Sequence, residues 1–302
     1  MLSKLLRWIG VILASLIALI AIFAGFVYVR SESIVNKTYT APEDKMTIPT
    51  AATAVERGRY LANYVSVCVE CHGVNLEGGI VTDDPLLGRI VAPNLTKGKN
   101  GVGGQLSDVD FVRVLRYGIL PDGKSAKVMP SDDYAYLSDA DLGALIAYVK
   151  SVPPQDSELP AIRFGPLGRT LLSLGQLPII IAQRVDPTVA RSMPAAGVTA
   201  DYGHYLANGA GCTGCHGPGL AGGKIPSGPP DWPLAANLTP SGEVGKWSET
   251  DFINTIRTGV NPAGKTLDQV MPWFRYRDMT DDDLKALWQY IKAVPAKPAG
   301  TR

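Results

Sequence analysis

The sequence predicts an all-α protein, with two helical lobes in tandem behind a single N-terminal transmembrane helix. Three observations lead there: an uncharged apolar run near the N-terminus, an internal repeat, and helix-capping signals with no comparable stretch of period-two alternation. Chain length agrees, since 302 residues at roughly 100–200 per domain leave room for two domains with two small cores. At 19% charged and 46% hydrophobic, the composition is that of a folding chain. The 29 Lys and Arg nearly cancel the 28 Asp and Glu, so there is no basic excess to neutralise phosphates, and no nucleic-acid partner is expected. Glycine (32) and proline (23) are abundant, which favours short helices joined by loops.

The first element is the apolar run. Trp8 to Val29 is 22 residues without a charge. About 20 apolar residues cross a bilayer core as a helix, whereas the core of a secretory signal is about 7–15. Ala21-Ile22-Phe23-Ala24 offers only a weak cleavage site, so residues 1–49 read as an uncleaved transmembrane anchor and stalk. Lys4 and Arg7 precede the run and hold the N-terminus in the cytoplasm. The expected location is the bacterial inner membrane, with everything after Arg30 periplasmic or extracellular.

The chain beyond the anchor repeats itself. Gly58-Arg59-Tyr60-Leu61-Ala62-Asn63 returns as Gly203-His204-Tyr205-Leu206-Ala207-Asn208. Cys68-Val69-Glu70-Cys71-His72-Gly73 returns as Cys212-Thr213-Gly214-Cys215-His216-Gly217, and Val128-Met129-Pro130 as Val270-Met271-Pro272. The offset drifts only from 145 to 141, which predicts two homologous lobes at 50–153 and 197–302.

Within each lobe, Ser107–Asp110 and Ser248–Asp251 have capping-box spacing and predict helices that end at Gly118 and Gly259. Ser138–Asp141 and Thr280–Asp283 predict the start of a final helix in the same way. Gly58 and Gly203 suit a close crossing of the first and last helices near Tyr148 and Tyr290. Residues 154–196 join the lobes as a strap packed between or across them. Its apolar stretch Leu171–Ile181 is too short and too broken to span a membrane, and a monotopic contact with the bilayer surface is the alternative to packing.

Two cysteines three apart and followed at once by histidine form the attachment pattern for c-type haem. On one helical turn both sulfurs reach one edge of the porphyrin, and the adjacent imidazole reaches the iron. A four-cysteine zinc site does not suit a gap of 140 residues between the pairs. A thioredoxin-like pair would want a strand–helix setting, and three-residue disulfide loops make poor staples. Cys68, Cys71 and His72, with Cys212, Cys215 and His216, are therefore the candidate sites for two haem c groups.

Six methionines are available for the sixth iron position. Only Met129 and Met271 occupy equivalent places, 57 residues after His72 and 55 after His216. Met279 aligns with Leu137 and reads as core, and His204 aligns with Arg59 and reads as exposed or capping. Asn94, Thr96, Arg116 and their copies Asn237, Thr239, Arg257 are duplicated polar residues, candidates for haem propionates, helix capping or surface solvation. His/Met ligation fills both axial positions, which suits electron shuttling rather than substrate binding.

On these motifs the chain resembles the class I cytochrome c superfamily, one domain per lobe. More narrowly, Asn-Leu-Thr, then Trp247-Ser248…Asp251-Phe252…Arg257…Gly259, then Met-Pro, is similar to cytochrome subunits of membrane-bound bacterial alcohol, gluconate and sugar dehydrogenases. Those typically carry three haem domains, whereas this chain has two, and Leu106 stands where the second lobe has Trp247. The resemblance implies a non-enzymatic electron carrier whose redox partners are a respiratory complex, dehydrogenase or terminal oxidase. An obligate dehydrogenase subunit and, more remotely, a dihaem peroxidase are the alternatives.

Overall fold

The structure is a computed structural model that describes residues 2–226, 228–229 and 231–301. The first helix, α1 (Leu2–Val35), is continuous over 34 residues, with Val27 and Ser31 as its buried positions. It is the one helix among the described residues long and apolar enough to cross a membrane.

The first lobe contains α2 (Ala52–Tyr60), a π-helical turn at Leu61–Val65, α3 (Val69–His72), α4 (Asp108–Tyr117), α5 (Ser131–Tyr134) and α6 (Asp139–Ser151). The connecting strap carries α7 (Pro166–Ser173). The second lobe repeats the order with α8 (Ala200–Gly209), α9 (Cys212–His216), α10 (Glu249–Thr258), α11 (Trp273–Tyr276) and α12 (Asp281–Ala293).

The chain is mostly helical but not purely so. Strands β1 (Gly79–Asp84), β2 (Gly88–Ala92) and β3 (Arg163–Phe164) form an antiparallel sheet in that order. The Asp84 carboxylate makes the tight turn, accepting from Leu86 N at 2.8 Å and Leu87 N at 2.7 Å. A register shift between Ile80 and Thr82 breaks the alternation, and the third strand arrives from the strap. Both facts hide the sheet from a local reading of the sequence.

The capping boxes at Ser107/Asp110 and Ser248/Asp251 form with both reciprocal bonds. Gly118 (φ 63°) and Gly259 (φ 71°) end these helices in the left-handed conformation. Ser138 and Thr280 also accept from the third backbone N–H of α6 and α12. Their boxes are not closed, however, because the acids at that position are turned toward the other lobe.

That diversion builds the interface between the lobes. Tyr60 Oη donates to Asp283 Oδ2 at 2.5 Å, and its counterpart Tyr205 donates to Asp141 Oδ2 at 2.8 Å. Thr280 N and Ser138 N donate to the same two phenol oxygens. The contacts are thus reciprocal, as across an approximate two-fold axis. The expectation of two separate cores does not hold: one buried apolar cluster runs through both lobes, from Leu61 and Leu142 to Leu206 and Leu284. The repeat made the two faces self-complementary, so they bury one another.

Of the two placements expected for the strap, between the lobes or across them, the first does not occur. The strap wraps the first lobe rather than lying between the two. Its β3 pairs with β2, Arg163 pairs with Asp83 at 2.8 Å, Arg184 with Asp132 at 2.5 Å and Arg191 with Asp44 at 3.0 Å.

Candidate functional site

Each Cys-x-x-Cys-His occupies one short helix whose position is set by a helix crossing. A β-carbon on Gly58 would lie 1.9 Å from the Ala144 carbonyl oxygen, and one on Gly203 would lie 1.9 Å from that of Ala286. Only glycine lets α2 cross α6, and α8 cross α12, at this distance. The π-turn and the end of α8 then deliver Cys68 and Cys212 to the wall of an apolar cavity in each lobe.

The first cavity, about 960 Å³, is lined by Cys68, Cys71, His72 and Met129. The second is narrower, about 110 Å³, and is lined by Cys212, His216 and Met271. The sheet explains part of the difference. Val81, Ile90 and Val91 border the first cavity together with strap residues Leu159 and Ile162, whereas the equivalent stretch of the second lobe has a single bridge between Gly223 and Ala235 among the described residues.

His72 Nδ1 donates to the Pro93 carbonyl at 2.8 Å, and His216 Nδ1 donates to that of Ala236 at 2.8 Å. This bond fixes the ring orientation and makes Nε2 the unprotonated nitrogen in each imidazole, the state a metal ligand requires. Burial lowers the His72 pKa and so favours the neutral ring. Burial also pushes the Cys68 and Cys212 thiols up to about 12, so neither is a thiolate poised for redox chemistry. In the first lobe an apolar cleft with a paired thiol turn, a fixed imidazole and a thioether fits a covalently attached macrocycle, and the second lobe sets Cys212, His216 and Met271 around a tighter cleft. Neither resembles a thiolate metal cage.

Two functional-site residues escaped the sequence reading. Tyr134 and Tyr276 are equivalent and stand five residues after each methionine. Tyr134 Oη donates to Ser66 O at 2.9 Å and Tyr276 Oη to Ala210 O at 2.7 Å. Each ties its methionine loop to the chain leading into its own Cys-x-x-Cys-His. Their shared offset of 142 was visible in the sequence, but tyrosine has so many structural uses that the repeat alone did not mark them.

The duplicated polar residues make structural bonds in both lobes. Asn94 Nδ2 donates to Gln155 O at 2.6 Å and Asn237 Nδ2 to Lys297 O at 2.9 Å, clamping the chain after each final helix. Arg116 is fully buried and pairs with Asp139 and Asp44, while Arg257 pairs with Asp281 at 2.6 Å. Met279 is 2% exposed and His204 is exposed against Tyr290, 4.8 Å between ring centres.

The two sites adjoin. Gly209, Ala210 and Gly211, which lead directly into the second motif, line the first cavity. Asp133 faces Gly211 and Gly214 from the first lobe. On the mirror side, Arg275 of the second lobe pairs with Glu70, inside the first motif.

A tandem helical chain with one such turn at the wall of each cavity defines a c-type cytochrome, and the chain carries a cytochrome c domain in each lobe. Residues 55–153 match the cytochrome c family model, and residues 199–291 match that of subunit III of cbb3-type cytochrome c oxidase. Such domains hold haem c, and two domains correspond to two haems. Over 281 residues the chain is 31% identical to the cytochrome c subunit of the quinone alcohol dehydrogenase of Gluconobacter oxydans, covering 82% of this chain and 56% of that one. It is 31% identical to the gluconate 2-dehydrogenase cytochrome c subunit of Pantoea cypripedii, over 81% of this chain and 60% of that one. A diheme cytochrome c-type protein of Cereibacter sphaeroides is 28% identical over 76% of this chain and 82% of its own. The chain thus spans 56–60% of the length of the two dehydrogenase subunits.

Proposed function

We propose that this protein is a membrane-anchored dihaem electron carrier, with residues 1–49 as anchor and stalk, 50–153 and 197–302 as haem domains and 154–196 as strap. In this reading Cys68 and Cys71, with Cys212 and Cys215, form the thioether links. His72 and Met129, with His216 and Met271, would supply the iron ligands. When bound, the haem would supply one-electron ferrous–ferric chemistry. The chain's own part is to fix the imidazoles through Pro93 and Ala236, to hold the methionine loops through Tyr134 and Tyr276, and to keep water from the cleft with Leu115, Leu145 and Leu287.

The observation that carries the proposal is the sharing of wall between the sites: the segment leading into the second Cys-x-x-Cys-His lines the cavity of the first. Adjacent haems suit electron passage through the molecule. Lys4 and Arg7 before the apolar run support a cytoplasmic N-terminus and haem domains in the periplasm. Similarity to dehydrogenase cytochrome subunits supports a dehydrogenase as the electron donor, with this chain either a free carrier or a fixed subunit. A dihaem peroxidase would need an open axial position, and a methionine at each cavity wall argues against one.

The test is haem stoichiometry and ligation. Pyridine analysis of the denatured chain is expected to find about two covalently held haems, and one haem, or haem extractable by acidified solvent, overturns the assignment. Ferric protein should show the far-red sulfur-to-iron band. Met129→His and Met271→His should each remove about half of it, while Met279→Leu leaves it intact.

A further inference from the structure

The membrane helix and the strap helix meet antiparallel at one level. Arg169 Nη1 donates to Ser31 Oγ at 2.8 Å and pairs with Glu32 at 2.8 Å, its guanidinium 4.6 Å from the centre of the Tyr28 ring. One turn further along α7, Ser173 Oγ donates to the Val27 carbonyl at 3.2 Å, and Arg30 Nε donates to the Ser173 carbonyl at 2.8 Å. Moving forward from Arg169 to Ser173 therefore moves backward along α1, toward the uncharged run that ends at Val29.

Immediately after Ser173 the chain turns. Leu174 is 62% exposed, and Gly175, at φ 70°, reverses the direction with open space beside it. Behind the turn Leu172, Ile179 and Ile180 are buried against Ile34 and Val35 of α1. The turn is thus seated on a small core of its own, and the leucine at its tip is held outward. Its neighbour Ser173 is bonded at Val27, two residues inside the uncharged run. Arg30, exposed and bonded to the same turn, sits at the outer edge of that run, where a lipid headgroup would lie.

The geometry points to a second membrane contact: the turn Leu174–Gly175–Gln176 enters the headgroup–acyl boundary of the leaflet through which α1 emerges. This rests on the reading of α1 as a bilayer-spanning anchor. The occupant is lipid because the turn lies at the depth where α1 itself is still apolar and outward-facing. A leucine held there meets hydrocarbon rather than water. Two attachment points in place of one fix the tilt of the first lobe, since the strap that carries the turn is also hydrogen-bonded into its sheet.

The test uses the full-length, haem-loaded protein in phosphatidylcholine–phosphatidylglycerol nanodiscs. The native cysteines are consumed as thioethers, so Leu174→Cys supplies the one reactive thiol; Phe23→Cys, in the apolar run, and Asp282→Cys, exposed on α12, are the references. Haem absorption checks that each variant folds. A water-soluble, membrane-impermeant maleimide is expected to react at position 174 several-fold more slowly than at 282, and a lipid-soluble maleimide to reverse that order. Equal rates at 174 and 282 with both reagents, while 23 shows lipid protection, overturn the second contact alone. Aqueous behaviour at 23 overturns the anchor and the contact together.

Discussion

At Gly58 and Gly203 the two helix crossings leave no space for a methyl group, because the nearest obstacle is backbone carbonyl and not a movable side chain. Gly58→Ala and Gly203→Ala are therefore expected to cost about 1–3 kcal/mol each by overpacking, read as a fall in the midpoint of urea unfolding. An unchanged midpoint would show that the helices can slide apart. Asp133 makes a second prediction. Burial, reinforced by the neighbouring Asp132 carboxylate and opposed by Arg184, raises its pKa from the ordinary 3.8 to about 7. Between about pH 4 and pH 7 the folded chain keeps this proton while the unfolded chain releases it. Stability from this group is therefore greatest below about pH 4 and falls as pH rises through 7. Asp133→Asn should flatten that part of the stability–pH profile. A profile that keeps its slope would place the titrating group elsewhere.

Among the elements, α4 and α10 begin with fully reciprocated capping boxes, whereas α6 and α12 begin with half of one. Ser107→Ala and Ser248→Ala each remove a hydroxyl that accepts from the third backbone N–H and also bonds the Asp at that position. A loss of about 1 kcal/mol per substitution is expected, measured by thermal unfolding followed by circular dichroism. No loss at either site would mean that water caps these helices equally well. The cap residues, the αL glycines and the repeat were all legible in the sequence, since each is local chemistry at fixed spacing. The sheet was not, because β3 comes from the strap and the strands are short.

Across the whole molecule, two tyrosine–aspartate bonds join the lobes, and they are unequal. Asp141 also receives Arg57 through two bonds, at 2.9 and 2.8 Å, while Asp283 takes its interlobe bond from Tyr60. Tyr205→Phe leaves Asp141 with its cation, whereas Tyr60→Phe strips the donor from a buried carboxylate. The second should cost more, within the range of about 1–3 kcal/mol for leaving a buried polar group unpaired. Calorimetry is expected to show one cooperative transition in the wild type, because the buried cluster is continuous. Equal losses for the two variants would contradict the role given to Arg57.

The sequence by itself determined the chemistry: two Cys-x-x-Cys-His turns, two matched methionines, the glycines at the helix crossings and the apolar N-terminal run are all fixed by residue type and spacing, and they can be recognised without knowing where the chain goes. Only the tertiary structure decided how the parts are joined. Asp141 and Asp283 look like ordinary capping acids until the other lobe brings a phenol to each, and Asn94 and Asn237 look like cofactor ligands until the chain after each final helix returns to them. The strap's place around the first lobe, and the merging of two expected cores into one, likewise depend on contacts between residues far apart in the chain. Local spacing encodes none of these, because each depends on which apolar faces find one another when the chain closes.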